Sequence, residues 1–416
     1  MANRIPKCIV PWVYLDILPE GTVVPCCSNA TELGNLKFQT LEEIWNGDKM
    51  KQFRLDMFKD DLPESCQSCT NEFDHENLKY FYNKKFESSF SEVDSITLDD
   101  GSVKEIKIKG FDYRLSNKCN FKCRTCWAKL SSSINFETRV NNLGDYYDEP
   151  ILNVNNYFDF KKLYRDNIDN LELIEFSGGE VLIMDEHYEM LEYLIANNKQ
   201  SQVELRYNTN FSVIDYKNND ILKLWSKWDS SKLFVNISID EIGSRSEYVR
   251  YGTVWNKLSS NLKTISNIFH DFTILGFSPN IFNVSANIVV SIFNVDRIPE
   301  IISYLIDINF IKEEYSFSNF TLSQEGNMRD GIYNLELYPI EQRQKIKEKL
   351  LNFSNTYPVN IDEHLRQILE KLDNPEPPDK NKIIEFLEDT KKIDKIRNQN
   401  LLEVIPELQC LVDYVS

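Results

Sequence analysis

The chain has 416 residues, of which 42% are hydrophobic and 27% charged, and its formal net charge is -18. That length supplies a large core and room for two or three domains. The negative balance repels polyanions and argues against a nucleic-acid partner, and no apolar run reaches the length of a bilayer span, so the expected setting is the cytoplasm, without membrane contact.

In chain order, residues 1–85 read as a small cysteine-bearing α+β unit. Ile9–Leu18 is apolar and extended in character, Pro19-Glu20-Gly21-Thr22 has the composition of a hairpin turn, and Val23–Cys27 would be the return strand. Thr40-Leu-Glu-Glu43 is a capping box that opens a helix carrying Ile44 and Trp45. A second helix is expected near Asp48–Phe58, ahead of the Cys66-x2-Cys69 turn. Residues 86–108 are Ser-rich and read as a connector with a hairpin at Asp99-Asp100-Gly101.

From 109 to 330 strands alternate with amphipathic helices. The predicted strands are Phe111–Ser116, Leu173–Ser177, Val203–Asn208, Leu233–Ile239, Asn283–Val290 and Tyr315–Leu322. The predicted helices include Glu186–Asn197, Ile221–Trp228, Asn256–Phe269 and Ile298–Ile308. Such alternation predicts an α/β fold with a parallel sheet and crossover helices, either a partial (β/α)6 TIM-like barrel or a doubly wound open sheet. Residues 331–416 read as a helical C-terminal extension, with Ile340–Phe353, Ile361–Leu372 and Lys380–Arg397 as charged, solvated helices and Pro375-Glu-Pro377-Pro378 as a stiff linker.

The nine cysteines are the most informative residues. An odd count with close pairs argues against a disulfide framework and for metal or iron–sulfur ligation. The four histidines, His75, His187, His270 and His364, form no H-x3-H pair, which argues against a histidine-built catalytic metal site. Cys119, Cys123 and Cys126 follow the first predicted alternating strand with the spacing C-x3-C-x2-C. Three thiolates can hold three irons of a [4Fe–4S] cube and leave the fourth open for chemistry. The same triad is also compatible with half of a zinc site. Cys8, Cys26, Cys66 and Cys69 could close a second site, with Cys27 as a substitute for Cys26, and a zinc tetrathiolate satisfies that spacing equally.

Other polar residues end the predicted strands. Ser177-Gly178-Gly179-Glu180 reads as a tight turn whose glycines admit a ligand close to the backbone, beside a carboxylate. Tyr207-Asn208-Thr209-Asn210 and Asn236-Ile-Ser238-Ile-Asp240 end the third and fourth strands, and Arg250 follows. A guanidinium suits a carboxylate ligand, and capping of strands and helices is the structural alternative for the rest. Trp45, Trp127, Trp225, Trp228 and Trp255 read as packing residues, Lys122 and Arg124 as solvated charges, and Cys410 as a buried structural thiol.

On the triad and the Gly178-Gly179-Glu180 turn, the chain resembles the radical S-adenosylmethionine (radical SAM) enzymes. The resemblance implies that the open iron binds the methionine end of SAM, that Gly178, Gly179 and Glu180 face its amino group, and that Arg250 faces its carboxylate. It implies that Ser238 meets the ribose, that Asn208 and Asp240 belong to the same cofactor-binding corners, and that Ser291–Val295 reaches adenine or substrate. Thr125 stands where the family often has an aromatic residue, and Glu241 replaces a glycine. The N-terminal cysteines, with Leu33-Gly34-Asn35-Leu36 and Leu41–Gly47, resemble SPASM and twitch auxiliary-cluster modules, here placed ahead of the barrel.

The implied activity is that of an oxidoreductase or maturase. SAM is cleaved reductively to a 5′-deoxyadenosyl radical, which takes hydrogen from a peptide or protein, with the auxiliary cluster passing an electron and a flavodoxin- or ferredoxin-type donor supplying another. A small metabolite, sugar or nucleotide is the alternative substrate, and a non-catalytic metal-binding or electron-transfer protein is the alternative of another class.

Overall fold

The computed structural model describes residues 4–59, 61–66, 69, 73–114, 116–144, 146–147, 160–270, 283–311, 320–324, 331–356 and 362–416. In chain order the strands are β1 (Tyr14–Ile17), β2 (Thr22–Val24), β3 (Gly34–Asn35), β4 (Gly110–Tyr113), β5 (Lys122–Cys123), β6 (Leu173–Phe176), β7 (Glu204–Thr209), β8 (Asp215–Tyr216), β9 (Asn219–Asp220), β10 (Leu233–Ser238), β11 (Arg250–Tyr251), β12 (Asn283–Val290) and β13 (Phe320–Gln324). Two compact units divide the chain: Met1–Asn117 with Asp148–Tyr207, and Lys118–Tyr147 with Asn208–Ser416.

In the first unit the strand order is β7-β6-β4-β1-β2-β3. β1, β4, β6 and β7 run parallel, and β2 and β3 continue the sheet antiparallel. Parallel neighbours need a crossover connection, and the helix Asp185–Ala196 supplies one between β6 and β7 with His187, Tyr188, Met190, Leu191 and Leu194 buried. The N-terminal segment is therefore part of this sheet, because β1 lies parallel beside β4.

In the second unit β10, β12 and β13 are parallel. Strand β10 alternates buried Leu233, Val235 and Ile237 with half-buried Phe234, Asn236 and Ser238, the period-2 pattern of a sheet with one apolar face. The helix Ile298–Asp307 buries Ile298, Ile301, Ile302 and Leu305, one stripe at i, i+3, i+4 and i+7. Each such side chain contributes roughly 1.5–3 kcal/mol when fully buried. Among the described residues no helix is long and apolar enough to cross a membrane.

Several local expectations hold. Thr40 Oγ1 accepts from Glu43 N at 3.2 Å while Glu43 Oε2 accepts from Thr40 N at 2.8 Å, forming the capping box. The hairpin at Asp99–Gly101 is closed by a bridge between Thr97 and Val103.

Others are corrected. Ile9–Leu18 is not wholly extended: Val10–Val13 is a helical turn with Pro11 in its first positions, where the fixed φ of proline suits a helix start. The return strand stops at Val24, because Pro25 has no N–H to donate. The connector contains the helix Phe90–Ile96. The helix expected over Ile221–Trp228 ends at Trp225. The last strand is Phe320–Gln324, and residues 315–319 of its expected span lie outside the described residues. Trp127 is 47% exposed and is not a packing residue. Arg124 is buried, and Cys410 is only half-buried.

Candidate iron–sulfur sites

The triad occupies the loop between β4 and the helix Ser132–Asn141. Ser131 caps that helix by accepting from Ile134 N at 3.3 Å and donates to Phe121 O at 2.9 Å. Ser133 Oγ donates to Cys119 O at 2.6 Å, and Cys119 N donates to Ser132 Oγ at 3.3 Å. The run Ser131-Ser132-Ser133 thus ties the first cysteine to the helix start. β5 pairs antiparallel with β11, which sets Cys123 opposite Arg250. Gly252 ends this ribbon at φ +108°, and a Cβ there would lie 2.8 Å from Asn120 O, so the close approach requires glycine.

Arg250 is 8% exposed and ion-paired with Asp240 at 2.7 Å. Asp240 also accepts from Val289 N at 3.0 Å, and its backbone carbonyl accepts from Asn294 Nδ2 at 2.7 Å. The carboxylate therefore holds the arginine in place. Arg250 Nε is buried without a hydrogen-bond partner, a donor left unsatisfied within the protein. Burial raises the Cys123 thiol pKa, Arg250 draws it down, Asp240 raises it and Arg397 draws it down. Metal binding requires the thiolate, and these arginines favour it.

The remaining predicted residues are placed as follows. Ser238 ends β10 in register with Asn287. Asn236 Nδ2 donates to Asn208 Oδ1 at 3.0 Å and its Oδ1 accepts from Ser285 at 3.1 Å. Asn208, Asn236 and Ser285 so form a polar row in the second unit. In the first unit Gly178 and Gly179 both have positive φ, 78° and 61°, the left-handed conformation expected of that turn. Glu180 is 1% exposed, with Oε1 accepting from Leu182 N at 3.1 Å.

Cys8, Cys26, Cys66 and Cys69 line one pocket, together with Val10, Pro11 and other apolar side chains. Cys27 is exposed and is not among its lining residues. Asn29 Nδ2 donates to Cys66 Sγ at 3.1 Å, the type of contact that tunes an iron–sulfur cluster. Burial pushes the Cys8 thiol up to about 12 and also raises Cys66, so loading would release protons. Among the described residues no three candidate ligands stand converged in metal-binding geometry. The donor chemistry, four sulfurs in an apolar shell, fits a thiolate-bound cluster.

Sequence reasoning missed the part played by the C-terminal helix Lys380–Arg397. Its Asp394 pairs with Arg124, and its Arg397 bonds Glu137 at 2.7 Å, which also takes Lys122 at 3.0 Å. Charges expected to be solvated thus brace the cysteine loop. No contiguous pattern marks a pairing between segments so far apart.

An α/β protein with two sets of candidate thiol ligands is the class these features define. Residues 8–70 match the SPASM family, an iron–sulfur cluster-binding domain. The match is to an iron–sulfur cluster-binding domain, where spacing alone left zinc open. Native anSMEcpe with bound AdoMet and Cp18Cys peptide is a similar solved structure, at TM-score 0.33 and 16% identity over 59% of this chain and 59% of that one. Streptococcus suis SuiB bound to S-adenosylmethionine is similar at TM-score 0.38 and 12% identity over 73% of this chain and 63% of that one. The chain thus spans about three fifths of these structures. No curated protein matches it.

Proposed function

We propose that the chain is a radical SAM enzyme of the oxidoreductase or maturase type, acting on a peptide or protein in the cytoplasm, with its strands arranged as a partial (β/α)6 barrel. The observation that carries this reading is Arg250: it is held in register with Cys123 and keeps a buried Nε without a partner. A carboxylate bound there would sit beside the triad. Cys119, Cys123 and Cys126 would hold a [4Fe–4S] cluster, which when bound supplies the electron that cleaves SAM. Asp240 fixes the guanidinium, and the Asn208 and Ser238 corners would bind the rest of the cofactor.

The SPASM match over residues 8–70 supports an auxiliary cluster held by Cys8, Cys26, Cys66 and Cys69, serving as an electron relay. It also supports the peptide reading, since relatives with such modules often modify peptides. A flavodoxin- or ferredoxin-type protein would donate the electron.

The test is anaerobic reconstitution with SAM and a strong reductant. Formation of 5′-deoxyadenosine is expected, with iron near ~8 per chain for two four-iron clusters. Replacing Cys119, Cys123 and Cys126 by Ala should abolish cleavage and leave about four irons. Absence of 5′-deoxyadenosine from fully loaded protein would overturn the reading. Transfer of deuterium from a labelled peptide into 5′-deoxyadenosine would identify the substrate.

A further inference from the structure

The sheet of the first unit carries a polar centre that the cluster chemistry leaves unused. β1, β4 and β6 each have an acid as their third residue, Asp16, Asp112 and Glu175. The register sets Asp16 beside Asp112, Asp112 beside Glu175, and Glu175 beside Arg206 on β7. Cross-strand neighbours share one face of a sheet, so the acids form a row.

Two of them are satisfied. Asp112 accepts from Ser177 Oγ at 2.6 Å and from Arg114 Nε at 2.5 Å. Glu175 Oε2 accepts from Tyr14 at 2.5 Å and from Tyr82 at 2.6 Å. Asp16 is different. It is 0% exposed, and neither carboxylate oxygen has a hydrogen-bond partner. Its nearest cation is Arg114, whose Nε stands 3.6 Å away. Buried carboxylates are costly without such partners.

Charge accounting points the same way. Arg114 is shared by Asp112 and Asp16. Arg206 is engaged by Glu204 at 2.6 Å, which also takes Lys85 at 2.5 Å. Glu20 adds a further negative charge toward Asp16. Among these described residues carboxylates outnumber cations. The charges of Glu175, Arg114, Asp112 and Asp16 all act on the Cys27 thiol, and Cys27 is exposed.

We propose that this row is a subsite for a cationic group of the substrate, an ammonium or a guanidinium, with Asp16 as its counter-ion. As a statement about substrate it rests on the proposed function, while as a binding site it rests on these side chains alone. A hard metal ion takes six or more oxygens, whereas Arg114 and Ser177 engage Asp112 and the two tyrosines engage Glu175 Oε2. An organic monocation needs only the free carboxylate, with charge-assisted hydrogen bonds. Burial first, and then the Asp112 charge, raise the Asp16 carboxyl pKa, which keeps the group uncharged until a cation arrives.

The experiment is ligand-observed NMR titration of the full chain with butylguanidine, butylamine and neutral butanol, without SAM or reductant. Saturable binding of both cations at least tenfold tighter than of butanol is expected. Asp16→Asn should weaken cation binding at least tenfold, with circular dichroism and iron content unchanged. Should Asp16→Asn fail to fold, Glu175→Gln, which keeps an oxygen for both tyrosines, makes the same comparison and should weaken binding several-fold. Equal binding of butanol, no saturable binding of either cation, or full cation affinity in a folded variant overturns the subsite. Because SAM is absent, failure of SAM cleavage would leave this result standing, and loss of the subsite would leave cleavage standing.

Discussion

Arg124 and Asp394 form a buried ion pair across 270 residues of chain. Arg124, between two cysteines of the triad, also donates to Tyr248 O at 3.2 Å and lies 3.7 Å above the Tyr248 ring. Asp394 also accepts from Tyr248 Oη at 2.9 Å and from Leu401 N at 2.7 Å. The C-terminal helix therefore holds the cysteine loop through one fully engaged carboxylate.

Removing that carboxylate strands a buried guanidinium. Breaking a buried pair in this way costs about 3–5 kcal/mol. Asp394→Ala should lower the denaturation midpoint accordingly, and iron at the triad should be lost faster to a chelator than iron at the N-terminal site. Wild-type melting and equal loss from both sites would remove the helix from this role.

The two adjacent cysteines should behave differently. Cys26 lines the sulfur pocket with Cys8, Cys66 and Cys69, whereas Cys27 does not. Cys26→Ser should reduce N-terminal cluster occupancy, measured as iron per chain, and Cys27→Ser should leave it unchanged. The reverse result would make Cys27 the ligand.

Asp16 couples stability to pH. Its folded pKa, near 8 because of burial and the Asp112 charge, exceeds an unfolded value of about 3.9. Its stabilising contribution is therefore complete below about pH 3.9 and is lost as pH rises through about 8. Between pH 5 and 8.5 the melting temperature of the wild type should fall relative to that of Asp16→Asn. Parallel curves would show that the carboxyl is ionised throughout.

His187 acts in the opposite direction. Burial lowers its pKa to about 3, and its Nε2 meets Tyr207 Oη at 3.0 Å. The unfolded value is about 6.5, so the contribution is present above pH 6.5 and is lost as pH falls toward 3. Acid should weaken the wild type more steeply than His187→Gln in urea titrations at pH 6.5 and 4. An equal slope in both proteins would mean that His187 takes no part in acid unfolding.

Much of the local structure was legible. β12 matches its predicted span, Asn283–Val290, and the helix Lys380–Arg397 matches as well. Periodicity, caps and glycine turns act within a few residues, and the Thr40–Glu43 box is closed by neighbours in sequence. The acid row had a faint signal, one acid as the third residue of each of three apolar strands, but only pairing in register turns three separate acids into one centre.

By itself, the sequence determined the cysteine spacings, the strand–helix alternation and the glycine turn before Glu180, because each depends on contiguous residues. The tertiary structure decided that β1 extends the parallel sheet beside β4, that Cys26 rather than Cys27 lines the sulfur pocket, and that Arg124 is buried. Those outcomes depend on which distant segments meet. Burial and partners, set by that meeting, fix whether a charge is solvated, paired or left for a ligand.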